Sequence, residues 1–240
     1  MPGIAFKRMP PFEKAGQVMA YRHLLEQYRD LLTRSCHIPV SPCRVFDLIN
    51  QYKERIVYVA QPRLPRQSIG NAMLSDGNAT DMRQMVSRIM SFLFNLHQFN
   101  RQNHPYLQIA IDGQISNWSF FPSEAQEEGL NAVYFDITTP LFRINGIEQL
   151  DTEIFLKSCP GPLVWLVRRL FLDEVVDRYY DLRQVLIDLV ANFYKEGRAD
   201  LIDPALELIN AGIQKNGISG EIAFLKRREI DRYYRNDAFI

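Results

Sequence analysis

The sequence predicts an α+β chain of two unequal lobes, strand-bearing at the front and mainly helical afterwards. Three observations carry this expectation. Short β-branched and aromatic runs alternate with one helical stretch up to residue 64, whereas helical spacing dominates from there on. The segment Gln61-Pro62-Arg63-Leu64-Pro65 reads as an extended hinge, because each proline biases its predecessor away from helix. At 240 residues, with 47% hydrophobic and 23% charged side chains, the chain is long enough for one large domain or two lobes with real cores.

The elements follow in order. Gly3 to Met9 is a brief apolar strand ending in Lys7-Arg8 and stopped by Pro10-Pro11. From Glu13 to Arg34, Val18, Tyr21, Leu25, Tyr28 and Leu32 recur at helical spacing and mark the buried face of a helix that must end before Pro39. Arg44 to Leu48 and Arg55 to Ala60 are strands by their β-branched and aromatic content. Thr80 caps a second helix, with Met82, Met85, Val86, Ile89, Leu93 and Leu96 as its apolar stripe. Leu107 to Ile111 and Ala132 to Phe135 are short apolar strands that open into Asp112 and Asp136. From Pro162 the pattern is helical, with breaks at Asp203-Pro204 and Asn216-Gly217.

Composition narrows the function classes. Lys and Arg number 28 and so do Asp and Glu, so no basic surplus exists for a general nucleic-acid binder. Cys36, Cys43 and Cys159 are odd in number and lack C-x-x-C spacing, which speaks against a disulfide framework or a zinc knuckle and for a reducing compartment. The N-terminus lacks a signal-peptide core, and the most apolar stretch, Pro162 to Leu172, is cut by Arg168-Arg169. The expectation is a cytoplasmic chain with no membrane span and no nucleic-acid partner; its oligomeric state is not legible.

An aspartate at the end of a buried strand puts a carboxylate at the rim of a sheet. Two of them on neighbouring strands, with an asparagine nearby, form a hard oxygen site suited to magnesium. Asp112, Asn117 and Asp136 are the candidates, against the plainer reading that each serves a turn. His97 reads as a structural histidine, His23, His37 and His104 show no metal spacing, Trp118 reads as an aromatic in a half-buried loop, and Lys226-Arg227-Arg228 as a solvated cluster on a terminal helix.

The order of these residues resembles the protein-kinase-like superfamily, closest to its aminoglycoside phosphotransferase and choline kinase branch. Asn117 follows Asp112 by five positions, as in the catalytic loop of that superfamily, and Leu96-His97 looks like the end of the helix before that loop. Val133-Tyr134-Phe135-Asp136 looks like the strand that delivers a metal-binding aspartate. Ile4-Ala5-Phe6-Lys7 is similar to the Val-Ala-Ile-Lys type of lysine strand, and Glu26 lies nineteen positions on, in the helix where the lysine's partner would stand. Val57-Tyr58-Val59-Ala60-Gln61-Pro62 resembles the strand and hinge against which adenine would pack.

The resemblance implies a kinase-like two-lobed fold with a truncated N-lobe over 1–64, made of the lysine strand, a helix, two strands and the hinge, and a helical C-lobe over 65–240. It implies ATP and Mg2+ as cofactors and a small hydroxylated acceptor, since no Ala-Pro-Glu segment of the protein-kinase type is present. Lys7, Glu26 and Gln61 would bind the nucleotide, Asp112 would act on the acceptor hydroxyl, and Asn117 with Asp136 would hold magnesium. The pattern also departs from that family: Ala110 stands where the family has a histidine, Gln114 where it has Lys or His, Ile137-Thr138 follow Asp136, and the Gly-rich loop is missing. These departures favour an alternative, a non-catalytic pseudokinase-like binding or regulatory module. A third reading is a mixed α+β domain without a nucleotide site. By its angular position, Glu26 is equally readable as a solvated charge, and Lys7 as an ordinary edge-strand lysine.

Overall fold

The computed structural model describes residues 3–123, 129–151 and 176–237. Cys159 and the apolar stretch Pro162 to Leu172 lie outside the described residues. The fold is mixed α and β, and the chain divides into two compact units, one of residues 1–63, 99–110 and 136–177, the other of residues 64–98, 111–135 and 178–240. The first boundary falls inside the expected hinge. The expected single block over 65–240 differs from this division, because two of its segments cluster with the front of the chain.

In the first unit, strands β1 (Ile4–Phe12), β2 (Arg44–Ile49) and β3 (Arg55–Pro62) form an antiparallel sheet in the order β1-β3-β2. Helix α1 (Ala15–Asp30), extended by a π-helical turn over Leu31–Ser35, packs against β1 and β3. Its buried residues are those the periodicity predicts, Val18, Tyr21, Leu25 and Tyr28, followed by Leu32 in the extension. Beneath them Val57 and Val59 are fully buried; burying a side chain of this size contributes about 1.5–3 kcal/mol. The proline pair does not stop β1 as expected. β1 is an edge strand with a register irregularity between Arg8 and Pro11, and an edge position or a bulge is where a residue without an N–H is tolerated.

A second small sheet in this unit joins β4 (Leu107–Ile109), β7 (Phe142–Ile144) and β8 (Ile147–Glu148) in the order β4-β7-β8. The Asn100 side chain clamps β4, donating to the Ile109 carbonyl at 2.7 Å and accepting its N–H at 2.8 Å.

In the second unit, α2 (Gly70–Asp76) leads to α3 (Ala79–Asn103), which belongs to this unit up to Gln98 and buries all six predicted stripe residues. Its cap is Asn78 rather than Thr80: Asn78 Oδ1 accepts from the N–H groups of Thr80 and Asp81, while Asp81 Oδ2 accepts from the Asn78 N–H. The antiparallel pair β5 (Trp118–Pro122) and β6 (Leu130–Tyr134) lies in this unit as well. Trp118 is therefore a core residue of β5, fully buried and stacked on Phe92 at 5.5 Å, not a half-buried loop aromatic.

Helices α4 (Leu182–Lys195), α5 (Ile202–Lys215) and α6 (Arg227–Asp237) complete the unit. Asp203-Pro204 is no break: it occupies the first turn of α5, where proline costs no helical hydrogen bond. Asn216-Gly217 does end that helix, with Gly217 at φ +68°. Arg227 is tied to Asp203, Asp231 and the Tyr194 hydroxyl rather than merely solvated. Among the described residues, no helix is long and apolar enough to cross a membrane.

Candidate functional site

Each unit holds one part of the predicted residue set. In the first unit, Lys7 lies on β1 opposite Val59 of β3, and its Nζ contacts Asp136 Oδ1 at 2.7 Å. The same oxygen accepts from Thr138 Oγ1 at 3.2 Å. Thr138 is buried, and its carbonyl accepts the Tyr21 hydroxyl of α1 at 2.8 Å, so the helix braces the segment that carries Asp136. Burial pushes the Tyr21 hydroxyl well above its usual pKa, with Cys43 and the Asp136 carboxylate adding to the rise.

Glu26, the expected partner of Lys7, is exposed on α1 and lies near Cys43. The carboxylate that Lys7 does meet belongs to Asp136. Gln61 lies in the last turn-ward residues of β3, where with Ala60, Pro62, Ile4, Cys43 and Arg44 it lines a cavity of about 320 Å³. Cys36 and Cys43 are free thiols, and burial raises the Cys36 thiol to about 12.

In the second unit, the loop after β4 carries Asp112 and Asn117. Asp112 Oδ1 accepts the Gln114 N–H at 3.1 Å, an Asx turn, and Asn117 Nδ2 donates to the Asp112 carbonyl at 3.3 Å. A short 3₁₀ turn over Ile115–Asn117 leads into β5, and the Asn117 carbonyl accepts the Phe135 N–H at 3.1 Å. Gly113 must be glycine for space, since a Cβ there would stand 2.5 Å from Val185 Cγ1.

The loop is held by a residue that sequence reasoning missed. Asp188 of α4 is buried, and its Oδ2 accepts from Gln114 Nε2 at 3.0 Å while Oδ1 accepts from Asn192 Nδ2 at 3.2 Å. A signal was there: Asp188 interrupts the apolar run Val185-Leu186-Ile187-Asp188-Leu189-Val190, where an acid is tolerated only with partners. Tyr179 stands near both acids. Burial above all, with the charges of Asp112 and Asp188 adding to it and Arg178 opposing, pushes its hydroxyl up to about 12.

The expectation that Asp112 and Asp136 follow neighbouring strands is corrected. Asp112 follows β4, which pairs with β7, and Asp136 follows β6, which pairs with β5. Ala110, in the place of the family's histidine, is fully buried, donates its N–H to the Leu141 carbonyl at 3.0 Å and accepts the Tyr28 hydroxyl at 2.8 Å. By donor chemistry, the Asp136 carboxylate in the first unit and the Asn117 amide oxygen in the second are each of a type magnesium takes, and Asp136 Oδ1 already receives the Lys7 ammonium. Among the described residues, no cluster of three or more His, Cys, Asp or Glu is shaped for a metal.

No curated protein and no solved structure matches the chain. One family profile does, over residues 4–238 and so nearly the whole length. On that match the chain belongs to a family of unknown function, DUF6206.

Proposed function

We propose that this chain is a divergent kinase-like protein that binds ATP with magnesium and transfers phosphate to a small hydroxylated acceptor. The observation that carries the reading is the contact of Lys7 with Asp136. These residues stand 129 positions apart, the resemblance assigns both to the phosphate and metal machinery, and they meet at 2.7 Å. The sheet order supports it, because the lysine strand β1 lies directly beside the hinge strand β3. A second support is the Asp112 loop, whose Asx turn, Gly113 packing and Gln114–Asp188 bond hold it in one geometry.

In phosphoryl transfer the protein mainly positions groups and neutralises charge. In this reading Lys7 would turn from Asp136 to phosphate oxygens and Asp136 would hold the cation, a role the resemblance also gives to Asn117. Asp112 accepts the proton of the acceptor hydroxyl. Bound ATP and magnesium supply the phosphoryl group and the charge neutralisation.

The non-catalytic alternative has one observation of its own: Ala110 brings no side chain to orient Asp112, and its backbone is committed to Leu141 and Tyr28. Thermal denaturation with ATP and Mg2+ tests binding. At a ligand concentration 100-fold above Kd, the native state gains about 2.7 kcal/mol, and no shift at millimolar nucleotide overturns the reading. Nucleotide consumption separates the two readings, since Asp112→Asn abolishes turnover in the first and changes nothing in the second.

A further inference from the structure

The open face of the β1-β3-β2 sheet carries an interaction surface, two of whose residues, Ala60 and Arg44, also line the cavity beside Gln61. Register places Phe6, Ala60 and Arg44 in one row across the sheet, and Arg8, Tyr58 and Phe46 in the next. Side chains of paired residues share a face, so these six stand on the same side, opposite Val57 and Val59. Phe6 is 47% exposed, Phe46 37% and Leu48 58%, so ring and aliphatic surface lies open on one face of the sheet. Arg8 and Arg44 are exposed, neither pairs with a carboxylate among the described residues, and no acidic residue stands at any paired position of this face.

We infer that this face docks an acidic amphipathic helix of a partner protein. Charge complementarity selects the sign: two guanidinium groups that meet no carboxylate among the described residues frame an apolar centre. The same charges oppose a second copy, because a two-fold pairing of this face would bring arginine toward arginine with no carboxylate to meet it. The ring geometry disfavours nucleobases. Phe46 and Tyr58 are stacked on one another at 5.7 Å and 18°, and Phe6 meets Phe46 at 85°, so the rings form one packed apolar cluster rather than separate platforms for successive bases.

The spacing sets what the helix must carry. Arg8 and Arg44 lie two strands apart and two residues out of row, a Cα separation of about 12 Å from the usual strand spacing and rise. On a helix rising 1.5 Å per residue, carboxylates about seven or eight positions apart span that distance, with apolar residues at i+3 and i+4 between them over Phe46 and Tyr58.

The test uses the full chain and two designed 18-residue helical peptides, identical in their leucine stripe, with Glu in one and Lys in the other at two flanking positions seven apart. Fluorescence anisotropy is expected to give the Glu peptide an affinity at least about tenfold above that of its twin, and Arg8→Glu with Arg44→Glu reverses the order. Phe46→Ser weakens the Glu peptide about tenfold or more. Circular dichroism verifies that these surface variants keep their fold. Equal affinities, binding of neither peptide, displacement by oligodeoxythymidine, or a dimer in sedimentation that Phe46→Ser dissolves would each overturn the inference.

Discussion

Replacing Asp188 with Asn probes how the Asp112 loop is held. The change keeps the size of the side chain but leaves it a single acceptor oxygen for two donors, Gln114 Nε2 at 3.0 Å and Asn192 Nδ2 at 3.2 Å. One charge-assisted bond is lost, worth about 1.5–3 kcal/mol, and an amide donor is turned toward another donor in a buried site. The total is about 2–4 kcal/mol, which for a chain of this length lowers Tm by about 4–16 °C. Removing the negative charge also lowers the pKa of Tyr179 from about 12, while burial, its first cause, keeps it above the usual 10.0. Differential scanning calorimetry reads the first effect, and difference absorbance at 295 nm against the parent protein reads the second. A Tm within 1 °C of the parent, together with an unchanged tyrosine titration, would refute the assignment of Asp188 as the loop's anchor.

Three further outcomes follow from the packing. Asn78→Ala removes the α3 cap and costs about 1 kcal/mol, whereas Thr80→Ala is near neutral; equal effects in urea melts would return the cap to Thr80. Gly113→Ala drives a methyl into Val185 and costs about 1–3 kcal/mol, and a second change, Val185→Ala, recovers part of the loss, as a double-mutant cycle measures. Cys36 and Tyr179 both have folded-state pKa values raised to about 12, against ordinary values of 9.0 and 10.0. Between those limits the native state keeps protons that the unfolded chain releases, so the stability they support is intact below about pH 9 and is lost as pH rises toward 12. The slope is up to about 1.4 kcal/mol per pH unit for each group. A urea midpoint that is flat from pH 8 to 11 would contradict this, and Cys36→Val reduces the slope in its own part of the range.

Local pattern reached some parts of this protein and not others. The α1 stripe from Val18 to Leu32 and the α3 stripe from Met82 to Leu96 were legible because helical burial repeats within a few residues of sequence. β3 was legible because its run Arg55 to Ala60 carries its own propensity. β5 was not: its Trp118-Ser119-Phe120 is stabilised by Tyr134, Val133 and Ala132, partners more than ten residues away that leave no local mark. The extent of β1 through Pro10-Pro11 depended on its being an edge strand, which only the pairing order reveals.

For the candidate site, residue types and spacing by themselves put Asp112 and Asn117 in one loop and Asp136 at a strand end, whereas Lys7 stands out only through the resemblance to the kinase-like family. That information is local or motif-like, carried by side-chain chemistry at fixed offsets. Only the tertiary structure decided that Lys7 meets Asp136 while Glu26 faces solvent, and that Asp188 holds Gln114. It also decided that Phe6, Phe46 and Arg8 share an open face. A hydrogen bond or ion pair between residues 74 or 129 positions apart follows from where the backbone brings the two groups, and water excluded around Asp188 makes its pairing obligatory.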